Sequence, residues 1–249
     1  MNPEGIFNDI TGDNQRGFPA IIKIMSLNLF LIRQCTRPNC GFRFPVADLT
    51  EGYETCPKCG APTRISESPY SDLKVETRPK SDDGPIIEVL LDNIRSAMNV
   101  GSMFRTADGA GIRHIHLCGI TPAPDHPKIA KTALGAEFVV PWTQHWDAVS
   151  TTTALKTAGY KIWVLEGGGR SQSIFEVLTD LPASPILLVV GNEVSGVDPT
   201  ILELCDRVLH LPMQGAKHSL NVAVAFGIAV YTLRFTPGLE KNKVKSKEN

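Results

Sequence analysis

The chain has 249 residues, of which 42% are hydrophobic and 20% are charged, and its formal net charge is −1. These values indicate a soluble globular protein with a full-sized core, and the length fits one α/β domain with an appendage. Because the chain as a whole is not basic, a nucleic-acid partner has to be argued from local features.

The N-terminal segment contains one long apolar run, AIIKIMSLNLFLI (20–32), which has 13 residues and is interrupted by Lys23. A membrane span needs about 20 apolar residues, and the run also lacks the basic leader and cleavage site of a signal peptide. We therefore expect no membrane association and a cytoplasmic protein. Residues 1–30 are predicted to be a partly disordered extension, and Met25 resembles a natural start, so residues 1–24 are hypothesised to be optional.

Four cysteines form two pairs, Cys35 with Cys40 and Cys56 with Cys59, separated by 15 residues. Paired thiolates on two short loops complete a tetrahedral site, so residues 31–65 are predicted to be a zinc-ribbon-like module. Two disulfides are the alternative, but thiols persist in a reducing compartment. Since all four ligands come from the protein, no coordination position is open, and the predicted Zn²⁺ is structural.

After a polar linker predicted at 66–85, short apolar runs alternate with segments of helical spacing. The predicted strands are IIEVLL (86–91), IRHIHLC (112–118), EFVVPW (137–142), YKIWVLE (160–166), ILLVV (186–190) and RVLHLP (207–212). This alternation predicts an α/β domain over 86–236, with a mostly parallel six-stranded sheet covered on both faces. The basic residues 237–249 are predicted to be a disordered tail.

The loops after these strands concentrate Asn, Gly and Ser, and ligands bind at the carboxyl ends of the strands in such sheets. The first strand is not followed by G-x-G-x-x-G, and GNEVSGV (191–197) lacks the Lys-Ser/Thr of a P-loop. Both NAD-dependent and ATP-dependent chemistry are therefore disfavoured.

Two helix starts lie beside these loops. Asn99 is predicted to cap a helix that begins at Val100, and Ser219 is predicted to cap a second one, with Asn221 in its first turn. The apolar run after Asn221 continues to Leu233 without a turn signal, and this length favours a helix over a strand.

Three segments carry a resemblance to a known family: NIRSAMNVGSMFRTADGAG (93–111), ILLVVGNEVSGV (186–197) and LPMQGAKHSLNVAVAFGIAVY (211–231). In this order they resemble the three motifs of the SpoU/TrmH family of RNA ribose 2′-O-methyltransferases, in the SPOUT superfamily. The resemblance implies S-adenosylmethionine as methyl donor, a C-terminal trefoil knot that binds it, and a homodimer with the active site near the subunit boundary. The cysteine module lies outside the resemblance.

The resemblance also implies roles for individual residues. Arg105 corresponds to the residue that fixes the attacking ribose hydroxyl and accepts or relays its proton, although an arginine is essentially always protonated in water. Without the motif, pairing of Arg105 with Asp108 on a helix surface is the simpler interpretation. The other implied catalytic residues are Asn99, Glu193, Ser219 and Asn221, and the implied donor-binding residues are Gly191, Leu211, Met213, Leu220 and Leu165.

The predicted activity is methyl transfer to a ribose 2′-hydroxyl of tRNA or rRNA, with a slight preference for tRNA because the core is compact. Basic residues lie near the cysteines, namely Arg33, Arg37, Arg43, Lys58 and Arg64. They suit contact with an RNA backbone, while a protein-contact role for the module stays open. The alternatives for the whole chain are a non-catalytic RNA-binding protein that retains the fold and a small-molecule methyltransferase.

Overall fold

The computed structural model describes residues 29–47, 53–71 and 84–245 of the chain. The chain divides into two compact units, Met1–Arg78 and Pro79–Asn249. The proposed start at Met25 and nearly all of the predicted N-terminal extension lie outside the described residues, as do residues 72–83 of the predicted linker.

The first unit is a three-stranded antiparallel sheet in the order β2-β1-β3. Its strands are β1 (Leu29–Cys35), β2 (Arg43–Ala47) and β3 (Thr63–Ser71). The linker was predicted to begin at residue 66, and this boundary is wrong because β3 continues through Ser71. Pro69 and its neighbouring serines resemble a loop in sequence, but β3 is an edge strand with a register shift here, where a proline is tolerated.

The second unit is built on a seven-stranded sheet in which every paired strand is parallel to its neighbour. The strands are β4 (Ile87–Asp92), β5 (Ile115–Cys118), β6 (Trp142–His145), β7 (Lys161–Leu165), β8 (Gln172–Ser173), β9 (Ile186–Val190) and β10 (Arg207–His210). Their order across the sheet is β6-β5-β4-β9-β7-β10-β8. The α/β class and the parallel sheet are confirmed.

Helices cover both faces of this sheet, as predicted. They are α1 (Ala97–Ala110), α2 (Pro127–Ala133), α3 (Ala148–Thr157), α4 (Pro199–Leu204) and α5 (Val222–Lys245). Buried side chains of α1, α2 and α5 pack on one face of the sheet, and those of α3 and α4 pack on the other. Within the described ranges, no helix is long and apolar enough to cross a membrane.

The number of strands and one strand position differ from the prediction. The sheet has seven strands rather than six because β8 has only two residues, too few to produce a periodic pattern. The predicted strand at 137–142 is wrong, since Ala136–Phe138 form a 3₁₀ turn and β6 begins only at Trp142. Leu134 and Gly135 both have positive φ, which turns the chain away from an extended path before the apolar run.

The C-terminal helix confirms the helical interpretation of the apolar run and extends further than predicted. α5 continues to Lys245, so a disordered tail from residue 237 is wrong for 237–245, while 246–249 lie outside the described residues. The segment LEKNKVK is composed mainly of residues with good helix propensity, and its basic composition alone is not a signal of disorder.

The two helices α1 and α2 approach closely at Gly101. A Cβ atom at this position would overlap the backbone carbonyl oxygen of Ile129 and the hydroxyl of Thr132. By contrast, a Cβ atom at Gly227 in α5 would lie 3.6 Å from the Thr106 methyl group, which is ordinary contact.

Gly101→Ala is therefore expected to destabilise the protein by about 1–3 kcal/mol, because backbone at the contact has to shift. Gly227→Ala is the matched control, and it should be neutral or stabilising by up to about 1 kcal/mol through helix propensity. Urea unfolding followed by circular dichroism measures both, and equal stability of the two variants would contradict the close approach.

Candidate active site

A cleft of about 480 Å³ opens at the carboxyl ends of β7, β9 and β10. Eight of the residues predicted for the site line it: Leu165, Gly191, Glu193, Leu211, Met213, Ser219, Leu220 and Asn221. All five predicted donor-binding residues are in this set. The position agrees with the rule that ligands bind at the carboxyl edge of a parallel sheet.

The carboxylate of Glu193 connects the loop after β9 to the start of α1. It accepts hydrogen bonds from the backbone amides of Arg95 (2.9 Å) and Ser96 (3.1 Å) and from the side-chain amide of Asn99 (3.0 Å). Burial alone would raise the pKa of Glu193, but these bonds lower it below its usual value. The residue is therefore an anion at neutral pH, held beside the N-terminus of α1.

A second contact connects α1 to the third motif. The side-chain amide of Asn221 donates to the side-chain oxygen of Asn99 at 3.2 Å. Together with the contact between Glu193 and Asn99, this bond brings one residue from each of the three motifs into a single polar chain. Three of the residues predicted for the catalytic site therefore lie together.

Both predicted helix caps are wrong by a few residues. The cap of α1 is Ser96, whose hydroxyl accepts from the amide of Asn99, so Asn99 lies in the first turn. At α5 the side-chain oxygen of Asn221 accepts from the amides of Ala223 (2.9 Å) and Val224 (3.3 Å). Ser219 makes no hydrogen bond among the described residues and instead faces the cleft. Asparagine and serine cap equally well, so composition does not distinguish neighbouring candidates.

Arg105 stands apart from the cleft wall. It is exposed on α1, six residues after Asn99, which corresponds to about 9 Å along a helix axis. Within the described ranges it forms no ion pair, so the alternative pairing with Asp108 is not observed. Its guanidinium is thus available to a ligand that approaches α1.

The turn after β9 is held by residues that the sequence prediction missed. The side-chain oxygen of Asn192 accepts from the amides of Val194 (2.9 Å) and Ser195 (3.1 Å), and its amide donates to the backbone carbonyl of Asn93 at 2.7 Å. Glu166 accepts from the amide of Val197 at 3.1 Å. Asn192 is the second residue after β9, and no local sequence pattern indicates its contact with Asn93.

The glycines of this turn are required by the backbone. A Cβ atom at Gly191 would overlap the amide nitrogen of Val197 and lie 2.6 Å from the carbonyl oxygen of Gly196. Gly196 itself has a φ of +75°, in the left-handed region that glycine adopts without strain. Gly191 therefore contributes a tight turn to the cleft wall rather than a side-chain contact.

Asp92 and Asn93, at the end of β4, connect two further loops and were also missed. One oxygen of the buried Asp92 carboxylate accepts from the amide of Asp198 at 2.9 Å, and the other accepts from the Asn93 side chain at 2.8 Å. The Asn93 oxygen accepts from the amide of Ile120 at 3.1 Å. These bonds fix the loops after β4, β5 and β9 against one another.

The predicted metal ligands come together in the first unit. The sulfur atoms of Cys35, Cys40, Cys56 and Cys59 all lie within 4.8 Å of one another, and two of the pairs are 3.5 Å and 3.9 Å apart. A tetrahedral Zn²⁺ with bonds of about 2.3 Å separates its sulfur ligands by about 3.8 Å. The cluster therefore fits a zinc ion.

The two remaining cysteines belong neither to the four-cysteine cluster nor to the lining of the cleft. Cys118 is buried in β5, and burial raises the pKa of its thiol to about 12. Cys205 is half-buried and donates from its thiol to the carbonyl of Leu202. Cys118 is therefore an inert buried thiol, whereas Cys205 is only half-buried.

Comparison with known proteins identifies relatives of the second unit. The profile of the SpoU rRNA Methylase family matches residues 86–231. The 23S rRNA (guanosine(2553)-2′-O)-methyltransferase RlmP of Bacillus subtilis is 36% identical over 148 residues, which cover 59% of this chain and 57% of that protein. The chain thus matches less than two thirds of the length of this relative, and the same holds for the next three curated relatives.

Solved structures show the same architecture. The A. aeolicus TrmH/SpoU tRNA modifying enzyme is 28% identical with a TM-score of 0.55, over 63% of this chain and 77% of that one. The AdoMet-bound rRNA methyltransferase from Sinorhizobium meliloti is 27% identical with a TM-score of 0.55, over 60% and 57% of the two chains.

The corrected cap assignment predicts different stabilities for two neighbouring variants. Asn221→Ala removes the acceptor of two amides at the start of α5 and should cost about 1 kcal/mol of unfolding free energy. Ser219→Ala removes no hydrogen bond seen in the described residues and should change stability by less than about 0.5 kcal/mol. Urea unfolding of both full-length variants measures the difference, and a larger loss for Ser219→Ala would reverse the assignment.

Proposed function

Because this chain belongs to the SpoU rRNA methylase family, we propose that it transfers a methyl group from S-adenosylmethionine to a ribose 2′-hydroxyl of RNA. The observation that carries the proposal is the polar chain Glu193–Asn99–Asn221, which joins the three motif segments at the edge of the cleft. A module that only binds RNA has no need of this arrangement beside a cleft for a small molecule.

The cleft suits the proposed methyl donor in size and in charge. Its volume of about 480 Å³ lies within the range of small-molecule sites, roughly 300–1,000 Å³. Leu165 and Leu211 offer half-buried apolar walls for the adenine ring, while Glu166 and Glu193 offer carboxylates near a cationic ligand. When bound, S-adenosylmethionine supplies an electrophilic methyl group on a positively charged sulfur atom.

Arg105 is proposed to position the ribose. Its proposed role is to orient and polarise the 2′-hydroxyl and to bind an adjacent phosphate, while the hydroxyl proton is released to water. Asn99 and Asn221 are fixed to each other and to Glu193, which places amide groups between Arg105 and the cleft. Ser219 faces the same cleft with a free hydroxyl and is proposed to contact donor or ribose.

Ribosomal RNA is the substrate that we propose, because the 36% identical relative is named for methylation of 23S rRNA. The neighbouring structure of a tRNA modifying enzyme keeps tRNA as the second substrate to test. The exposed side chains of Arg37, Lys58 and Arg64 near the cysteine cluster suit contact with a phosphate backbone. We propose that this module holds structural Zn²⁺ and helps to grip the RNA, in a cytoplasmic protein.

We also propose a homodimer and a trefoil knot. An exposed apolar stripe on α5 supports the dimer, since Val224, Ile228, Tyr231 and Phe235 follow a helical repeat and are 39–51% exposed in the single chain. The path of the chain supports the knot. In the sheet, β10 pairs with the side of β7 that faces away from β9, and the next element, α5, returns to pack against α1.

The activity is tested by incubating the full chain with S-adenosylmethionine carrying a labelled methyl group and with rRNA or tRNA from a deletion strain. Label at a single 2′-O-methylated nucleotide is the expected result. Transfer to free metabolites but not to RNA would support a small-molecule methyltransferase, and RNA binding without transfer would support a non-catalytic protein.

Arg105→Ala is expected to lower the rate of methyl transfer about 100-fold or more, because a positioned charge at the reacting hydroxyl is lost. Donor binding, measured by calorimetry, should be unchanged because Arg105 does not line the cleft. Arg113→Ala, an equally exposed arginine at the amino end of β5, is the matched control and should retain activity. A normal rate for Arg105→Ala would refute the assignment.

Removal of the metal should affect only the first unit. Chelator treatment is expected to release one zinc ion per chain and to unfold the 31–65 module, since so small a segment depends on its metal for stability. Donor binding should remain, because the cleft lies in the second unit. Metal analysis and calorimetry check both points, with Cys205→Ser as a control that keeps its zinc. Cys56→Ser with full zinc content would contradict the four-cysteine site.

A further inference from the structure

Two large apolar side chains are strongly exposed at the carboxyl edge of the sheet. Ile120, two residues after β5, is 66% exposed, and Trp146, directly after β6, is 89% exposed. Contiguous exposed apolar surface marks interaction sites, whereas isolated exposed apolar side chains are common. This edge is also the one at which β7, β9 and β10 form the donor cleft.

The backbones at Ile120 and Trp146 run close together just beyond the ends of the paired strands β5 and β6. In the parallel register Cys118 is opposite His145, and the amide of Gly119 donates to the carbonyl of His145 at 2.9 Å. Ile120 follows Gly119, and Trp146 follows His145, so both residues come directly after this hydrogen bond. We call the pair the edge ledge.

Hydrogen bonds connect the edge ledge to the active-site loops. The amide of Ile120 donates to the side chain of Asn93 at 3.1 Å, and the backbone carbonyl of Asn93 accepts from Asn192 at 2.7 Å. Asn192 precedes Glu193 in the turn that forms the cleft wall. The ledge is therefore fixed relative to the cleft and to the N-terminus of α1.

The surroundings of the edge ledge favour a nucleic acid as its partner. The loop that carries Ile120 leads directly into α2, where Lys128 and Lys131 are exposed. Ammonium groups on the helix that follows the Ile120 loop, together with an exposed indole at the same sheet edge, suit a phosphate backbone with its bases turned toward the aromatic face.

We propose that the edge ledge is a binding site for an unpaired base of the same RNA that receives the methyl group. The base stacks on the indole of Trp146, and the side chain of Ile120 contacts the edge of the same base. Stacking on aromatic side chains is the usual way in which proteins hold single-stranded RNA, whereas paired bases are not accessible to it. The inference rests on the proposed function, since it assigns part of the substrate to this surface.

The test compares RNA binding by Trp146→Ala, Trp146→Phe and wild type, with single-stranded oligouridylate and a fully paired RNA duplex as probes. Trp146→Ala should weaken binding of the single strand roughly tenfold, while Trp146→Phe keeps an aromatic face and should restore most of it. Binding of the duplex and of S-adenosylmethionine should be the same in all three proteins. With rRNA as substrate, Trp146→Ala should raise KM and leave kcat near that of wild type.

Phe138→Ala is the matched control, because Phe138 is 79% exposed but precedes the amino end of β6, at the opposite edge of the sheet. An equal loss of RNA affinity in Phe138→Ala, or no loss in Trp146→Ala, would overturn the inference. A change of oligomeric state in Trp146→Ala at unchanged RNA affinity would assign the ledge to a protein contact instead. Failure of the wild type to bind donor or to methylate RNA would overturn the proposed function itself, which separates the two results.

Discussion

The arrangement of the site depends on one carboxylate at the start of one helix. The first amides of a helix have no partner within the helix, and the N-terminus carries partial positive charge. Glu193 accepts from the backbone amides of Arg95 and Ser96, just before α1, and from the side chain of Asn99 in its first turn. A residue from the loop after β9 thereby satisfies donors that would otherwise face water, and it fixes α1 relative to the cleft.

The topology of the sheet explains how one side chain reaches this position. β9 pairs directly with β4, so the loops that follow these two strands leave the same edge side by side. β7 lies on the other side of β9, and its end contributes Leu165 and Glu166 to the cleft wall. A parallel sheet thus places residues nearly 100 positions apart in sequence within hydrogen-bond distance, as in the contact between Glu193 and Arg95.

The residues that form the site were easier to predict from the sequence than the contacts that hold them in place. Motif residues and strand ends were sufficient to place Glu193, Gly191 and Leu211 at one edge, because polar loops after apolar strands share that edge in any parallel sheet. The helix caps were misplaced because Ser96 and Asn99, or Ser219 and Asn221, are equally good caps by composition. The roles of Asn192 and Asp92 depend on contacts between distant loops, which no local pattern contains. The short strand β8 and the turn at Ala136–Phe138 were not predicted either, because they depend on strand pairing and backbone conformation rather than on a local sequence pattern.

The proposed methyl transfer requires that the cleft beside the Glu193 carboxylate binds S-adenosylmethionine. Calorimetric titration of the full-length chain with this compound tests it most directly. We expect saturable binding of one donor molecule per chain, and weaker binding when Glu193→Ala releases the turn that forms the cleft wall. Absence of binding at millimolar donor, or identical affinity in the wild type and in Glu193→Ala, would contradict it.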